Sequence, residues 1–135
     1  MNPVKKKKEA TLSSIKNDCL TIWSLCVRTR DRKCQFKDCN SDTNLSAHHI
    51  RSRTHASTCL DIENGIAVCW GHHSLQKRNP EYFQDRIIDI IGDEEYARLK
   101  RKSSSVVKLT MKDLMQIRTS LRELLTDLEN QYGKL

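Results

Sequence analysis

No apolar run in this 135-residue chain approaches the roughly 18 residues that a membrane-spanning helix needs. The opening stretch MNPVKKKKEA leads into no apolar core of a secretory signal. A soluble, cytoplasmic protein is therefore expected. Aromatic residues make up only 5% of the chain, which leaves no platform on which successive RNA bases would stack. There is no internal repeat, no long basic helix and no array of arginines suited to bidentate reading of base edges. The length excludes a barrel enzyme and a two-domain dinucleotide fold, and suits one domain with an appended helical segment. At 37% hydrophobic and 30% charged the chain can build a core, but a thin one of the kind that a metal or partner often completes.

Cysteine, histidine and positive charge are present, and unevenly spread. Cys34, Cys39, Cys59, Cys69 and all five histidines fall between positions 34 and 73, and only Cys19 and Cys26 lie outside. In a reducing compartment such a cluster reads as metal chemistry before disulfides. The net charge of +7 is concentrated at the start: residues 1–33 hold nine basic and three acidic side chains, whereas residues 80–135 balance at ten of each. The run Lys5 to Lys8 fits a flexible basic tail over residues 1–10, which can also serve as an arm neutralising phosphates. Arg28, Arg30, Arg32 and Lys33 add a second basic group.

From Thr11 to about Asp31, Leu12, Ile15, Cys19, Ile22, Trp23 and Cys26 recur three to four apart, which predicts an amphipathic helix with Cys19 and Cys26 as small core residues. Cys34 to Asn44 is rich in turn formers. Leu45 to Arg51 predicts a short strand, Ile66 to Val68 a second, and His72 to about Arg78 a helix. Beyond Pro80, Tyr82, Phe83, Ile87, Ile88 and Ile91 predict a helix stopped by Gly92, and residues 94–102 a shorter one, with a break at Ser103 to Ser105. Thr110 and Asp113 form a capping box. The helix it opens carries Leu114, Ile117, Leu121, Leu124 and Leu128 in a heptad seam, suited either to packing on the rest of the chain or to a homodimer. The organisation expected is a tail at 1–10, a helix and compact core at 11–79, and a helical extension at 80–135.

Two half-sites carry metal-ligand spacing. Cys34-x4-Cys39 sits on a tight turn, and Cys69-x2-His72 follows. Each pair is closed by a short turn, so the four can surround a zinc ion tetrahedrally, and thiolate donors favour zinc over hard cations. Such a zinc would supply stability that a thin core lacks. Between the half-sites, His48 and His49 end one strand, Asn64 precedes the next, and His73 follows His72. Neighbouring strand residues point to opposite faces, and neighbouring helical residues are about 100° apart, so one of each His pair serves the zinc or a buried contact while the other faces a cleft. His49, Asn64 and His73 are the candidates for one active centre. Cys59 reads as buried core, Trp70 as a cover over the site, and His55 has no assigned role.

The segments AHHI and DIENGIAVCWGHH resemble the HNH nuclease motif, whose fold is a hairpin and helix around one catalytic divalent ion. The resemblance covers about residues 34–78. It implies an α+β fold with a small zinc-stabilised ββα-metal core, an N-terminal helix and a C-terminal helical extension. It also implies a zinc set of Cys34, Cys39, Cys69 and His72, with His72 standing where that family often has cysteine. By the same resemblance His49 would be the general base, His73 with His48 would bind the catalytic ion, and Asn64 would orient the His49 loop through its amide or, as in some relatives, join the metal shell. His48 occupies a position that often holds Asp, and the nitrogen-rich shell favours Mn²⁺, Ni²⁺ or Zn²⁺ over Mg²⁺. Mg²⁺ is the ion cells offer most freely, so the catalytic ion is expected to be Mg²⁺, Mn²⁺ or Ni²⁺. Arg51, Arg53, Lys77 and Arg78 would contact phosphates. A looser similarity, resting on WSLCVRTRDRKCQ before the core and PEYFQDRIIDIIGDEEYARLKR after it, is to phage NinG/Rap recombination nucleases. It implies a phage-encoded endonuclease acting on branched DNA. The alternatives are a restriction, homing or packaging HNH nuclease, or a non-enzymatic zinc module that binds DNA or protein and needs only the four zinc ligands.

Overall fold

The computed structural model of the protein describes residues 9–135. All of the expected basic tail except its last two residues lies outside that range. Among the described residues the fold is a small α+β arrangement of five helices and one two-stranded antiparallel sheet. No described helix is long and apolar enough to cross a membrane.

Helix α1 spans Leu12–Asp31, the range its apolar periodicity predicts. Thr11 caps it: its hydroxyl accepts from the Ser14 N–H at 3.0 Å, and the Ser14 hydroxyl accepts from the Thr11 N–H at 2.9 Å. These bonds satisfy donors that the first turn would otherwise leave unpaired. The helix buries Ile15, Cys19, Trp23, Cys26 and Val27. It ends where Arg32 adopts a left-handed conformation (φ 66°), donating its N–H back to Arg28 O.

Strand β1 (Leu45–His49) pairs with β2 (Gly65–Cys69), placing His48 opposite Ile66 and His49 opposite Gly65. The expected strand ran to Arg51 and is two residues shorter. Asn64 takes over there: its carbonyl accepts from the Ile50 N–H at 2.9 Å, and its side chain holds the Arg51 backbone. The other edge of β2 is covered by the exit of α1. The Ala67 N–H donates to the Asp31 carboxylate at 2.9 Å, the Gln35 N–H to Ala67 O at 3.0 Å, and Arg30 to Gly65 O at 2.7 Å. Few backbone groups on that edge are left free to recruit another strand.

Helix α2 (Trp70–Arg78) follows β2 directly and starts two residues earlier than expected. Helices α3 (Pro80–Ile91) and α4 (Asp93–Ser103) follow, divided at Gly92, whose φ of 91° suits glycine. The capping box at Thr110 and Asp113 opens α5 (Met111–Tyr132).

Two apolar clusters lie on opposite faces of the sheet. The first joins α1 and α5 around Ile15, Cys19, Trp23, Cys26, Leu114 and Leu121, with Cys59 and Ala67 beneath. The second joins Cys34, Phe36, Ile66, Val68, Phe83 and Ile87. Residues 80–135 thus contribute to both. The α1–α5 contact has a fixed register: the Cys19 thiol donates to Leu114 O and the Cys26 thiol to Leu121 O, each at 3.4 Å. The step is seven residues on both helices, so they run parallel in coiled-coil fashion. Arg118 pairs with Asp18 at 3.2 Å near one end, and Arg32 donates to Gly133 O at the other. The heptad seam of α5 packs on α1 within the chain: Leu114 and Leu121 are buried, and Ile117, Leu124 and Leu128 lie against the same cluster.

Candidate metal centre and histidine cleft

The first site is built from two turns. Between Cys34 and Cys39 the chain folds back through a Cys39 N–H bond to Phe36 O at 3.1 Å, with Asp38 in the left-handed conformation that Asp tolerates. The second turn is the entry to α2, where Cys69 occupies the cap position and His72 the first turn. The donor atoms of Cys34, Cys39, Cys69 and His72 all lie within 4.8 Å of one another. His72 Nδ1 is 3.2 Å from Cys69 Sγ and 3.5 Å from Cys34 Sγ. Tetrahedral zinc with bonds of about 2.3 Å to sulfur would set its sulfurs about 3.8 Å apart, so these donors already stand near ligand spacing. All six cysteines are free thiols, which leaves these three available. The cluster could hold a structural zinc, as the two half-sites suggest.

The surroundings act in opposite directions on two of the thiols. Burial pushes the Cys34 thiol up to about 11, so its proton is one that a metal would displace. Burial also acts upward on Cys69, but the backbone N–H groups of His72 and Gly71 and the neighbouring thiols bring it below its ordinary value. A thiol at a helix N-terminus is the kind that ionises readily. The ring of Phe36 stacks on His72 (centroids 4.4 Å, 12° between planes) and fixes its orientation. Trp70, expected as a cover, is instead 72% exposed, because its position at the start of α2 turns it to solvent.

The second site is a cleft of about 510 Å³ between α1, the end of β1 and α2. Trp23, His48, His49, Arg53, His73 and Gln76 line it, and among the described residues no carboxylate does. Strand alternation led to the expectation that only one of His48 and His49 would face the cleft. Both border it, because β1 stops at His49 and the two rings flank the mouth from opposite faces. His48 is buried, lying edge-on to Phe83 (4.8 Å, 85°) and to His73 (5.5 Å, 67°). His49 stacks on Trp23 at 3.9 Å and 10°, with its Nε2 3.0 Å from Cys59 O. A carbonyl only accepts, so Nε2 carries a proton and the neutral ring keeps its lone pair on Nδ1.

All three rings are biased toward the neutral form. Burial, then the neighbouring His73 and His49, pushes His48 down to about 4. His49 is lowered by burial, against which the Cys59 carbonyl acts. Burial, then Lys77, lowers His73. Neutral imidazoles can act as metal ligands or as proton acceptors. Asn64 lies outside the cleft and fully buried. Its Oδ1 accepts from the Arg51 N–H at 2.8 Å and its Nδ2 donates to Arg51 O at 3.0 Å, which pins the chain two residues after His49.

The other expected phosphate contacts divide. Arg51 points to α4, donating to Ser103 Oγ at 3.1 Å and to the Tyr96 hydroxyl at 3.0 Å, so its guanidinium serves the fold. Arg53 is exposed at the cleft, and Lys77 and Arg78 are exposed on the last turn of α2. Of the basic group at the exit of α1, Arg28 bonds Ser24, Arg30 bonds Asp31, Ile62 O and Gly65 O, and Arg32 bonds Gly133 O. Helix α4 straps the loop between the strands through Arg98 to Glu63, Lys102 to Asp61 at 2.7 Å and Ser57 to Lys102 O at 2.7 Å. His55 gives that loop backbone bonds, its carbonyl accepting from the Thr58 and Cys59 N–H groups.

Sequence reasoning took Trp23 as core only and gave Phe83 no place at the site. The visible hint for an aromatic at the centre was the place of Phe36 between Cys34 and Cys39. Compared with known proteins, the chain matches no family model, no curated protein and no solved structure.

Proposed function

We propose that the protein is a metal-dependent DNA endonuclease of the HNH type, hydrolysing phosphodiester bonds and acting on branched DNA in phage recombination. The observation that carries this reading is that His48, His49 and His73 all line one cleft, which no carboxylate among the described residues lines, with His73 next in the chain to His72 of the Cys3His cluster. His48 and His73 would hold a divalent ion, whose Lewis acidity would offset charge building on the phosphate oxygens. Two imidazoles and no carboxylate make Mn²⁺ or Ni²⁺ better suited than Mg²⁺.

The chain's own groups then have distinct tasks. His49 Nδ1 accepts a proton as a water oxygen bonds to phosphorus, the bond to the 3′ oxygen breaks, and solvent protonates the leaving oxygen. The Cys59 carbonyl holds the opposite edge of that ring and stabilises the imidazolium form; stacking on Trp23 limits its rotation. Asn64 keeps the following turn, and so the end of β1, in place. Arg53 at the cleft, with Lys77 and Arg78 exposed on the last turn of α2, would supply positive charge for a phosphate backbone.

The test is cleavage of matched linear, forked and four-way DNA with Mg²⁺, Mn²⁺ and Ni²⁺ in turn, for the parent and His49→Ala. The expected result is metal-dependent cutting by the parent, fastest on branched DNA, and a loss of at least about 10²-fold in the variant with DNA binding retained. Equal cutting by His49→Ala overturns the assigned base. Binding without cutting under every metal would favour a zinc-binding DNA module instead.

A further inference from the structure

The two sites are joined by a chain of aromatic rings, and both ends of it belong to ligand-bearing segments. Phe36 lies between Cys34 and Cys39 and stacks on His72. It meets Phe83 of α3 at 5.4 Å and 35°. Phe83, only 2% exposed, presents itself edge-on to His48 at 4.8 Å. We propose that Phe83 is a positioning residue through which the Cys3His centre sets the ring of His48, so that the occupancy of one metal site controls the geometry of the other.

The physical basis is close packing. A ring wedged between two others moves when either moves, because a buried gap forfeits contact energy. Phe36 rides on the turn that a zinc ion would close, so loosening that turn removes the wall behind Phe83, and Phe83 is the wall behind His48. A second route from the centre runs along α2, from His72 to its neighbour His73. The second route also reaches His48, because the His73 ring stands edge-on to it at 5.5 Å. A His48 response is therefore assigned to Phe83 only where it is lost on changing Phe83 while the His73 response is kept. The inference deepens the reading of the cleft as a metal site.

The experiment follows the histidine ring resonances of the full zinc-loaded chain by NMR while one equivalent of Cd²⁺, a larger thiophilic ion, replaces zinc at the thiolate centre. In the parent, signals of His72, His73 and His48 are all expected to move. In Phe83→Leu, and in Phe83→Met, which keeps apolar volume without a ring, the His48 shift is expected to be lost while those of His72 and His73 persist. A His48 signal that is silent in the parent, or that moves equally in the variants, overturns the proposal. If neither variant folds, the parent exchange alone still decides whether His48 responds. The readout is independent of cleavage: an inactive parent whose His48 responds would overturn the nuclease reading and leave the coupling standing. An active parent with a silent His48 would do the reverse.

Discussion

At the scale of single residues, the position of His49 depends on a residue that is absent as a side chain. A Cβ placed on Gly65 would stand 2.4 Å from Val27 Cγ2 and 2.7 Å from Trp23 Cζ2. The φ of Gly65 is −119°, so close approach and not backbone conformation requires glycine there. Trp23 occupies that space, donates its indole N–H to Asp61 O at 2.8 Å and offers its face to His49. Gly65→Ala is therefore expected to cost about 1–3 kcal/mol through overpacking and to displace the Trp23–His49 stack. Urea unfolding gives the first quantity, and the ring resonances of His49 give the second. Parent-like stability with an unmoved His49 would refute this account. Substituting Cys39 by Ser should act differently, removing one of four metal donors, so that purified protein holds less than one zinc per chain and melts well below the parent.

At the scale of elements, the α1–α5 pair rests on small buried thiols that let two helices approach closely. Burial first, and then the charge of Glu129, pushes Cys26 up to about 11 from 9.0. Below pH 9 the thiol is protonated in both folded and unfolded chains, and its contribution to stability is constant. Between pH 9 and 11 the unfolded chain loses the proton while the folded chain keeps it, so stability falls as pH rises. Thermal melting is expected to decline above pH 9, with a shallower decline in Cys26→Ala; parallel curves would contradict this. How far these elements were legible follows from the range of their causes. The Thr110–Asp113 capping box, the stop at Gly92 and the two metal half-sites are local patterns, and each stands where its residues predict. The parallel register of Cys19 on Leu114 and Cys26 on Leu121 joins residues 95 positions apart, which periodicity cannot reveal. The same holds for Arg51, whose loop position suggested solvent or phosphate but whose guanidinium reaches Tyr96 and Ser103. The shared cleft of His48 and His49 was hidden for a further reason: alternation does send the two rings to opposite faces, but a cleft at the end of the sheet borders both.

At the scale of the whole molecule, the two clusters differ in what can sustain them. The first lies between helices of 20 and 22 residues whose apolar stripes face each other. The second is assembled from five-residue strands, a knuckle, α3 and α2, a nine-residue helix with no buried residue. Short elements of this kind gain too little from burial to offset the entropy of ordering them, whereas a structural zinc contributes on the order of 10–16 kcal/mol in small domains, comparable to the whole stability of a typical protein. Removing zinc from a loaded Cys3His cluster should therefore not unfold the chain evenly. A strong chelator is expected to raise amide hydrogen exchange across residues 34–50, α2 and α3 while α1 and α5 keep most of their protection, and Cys39→Ser should reproduce that pattern without chelator. The boundary of the loosened region should fall along β2, whose Ala67 belongs to the first cluster and whose Ile66 and Val68 belong to the second. Because Asp31 and Gln35 bond Ala67 from the α1 side, its amide should resist exchange longer than those of its two neighbours. Uniform loss of protection in α1, β2 and α5 together would mean that the two clusters form one cooperative unit, and that zinc holds the whole fold.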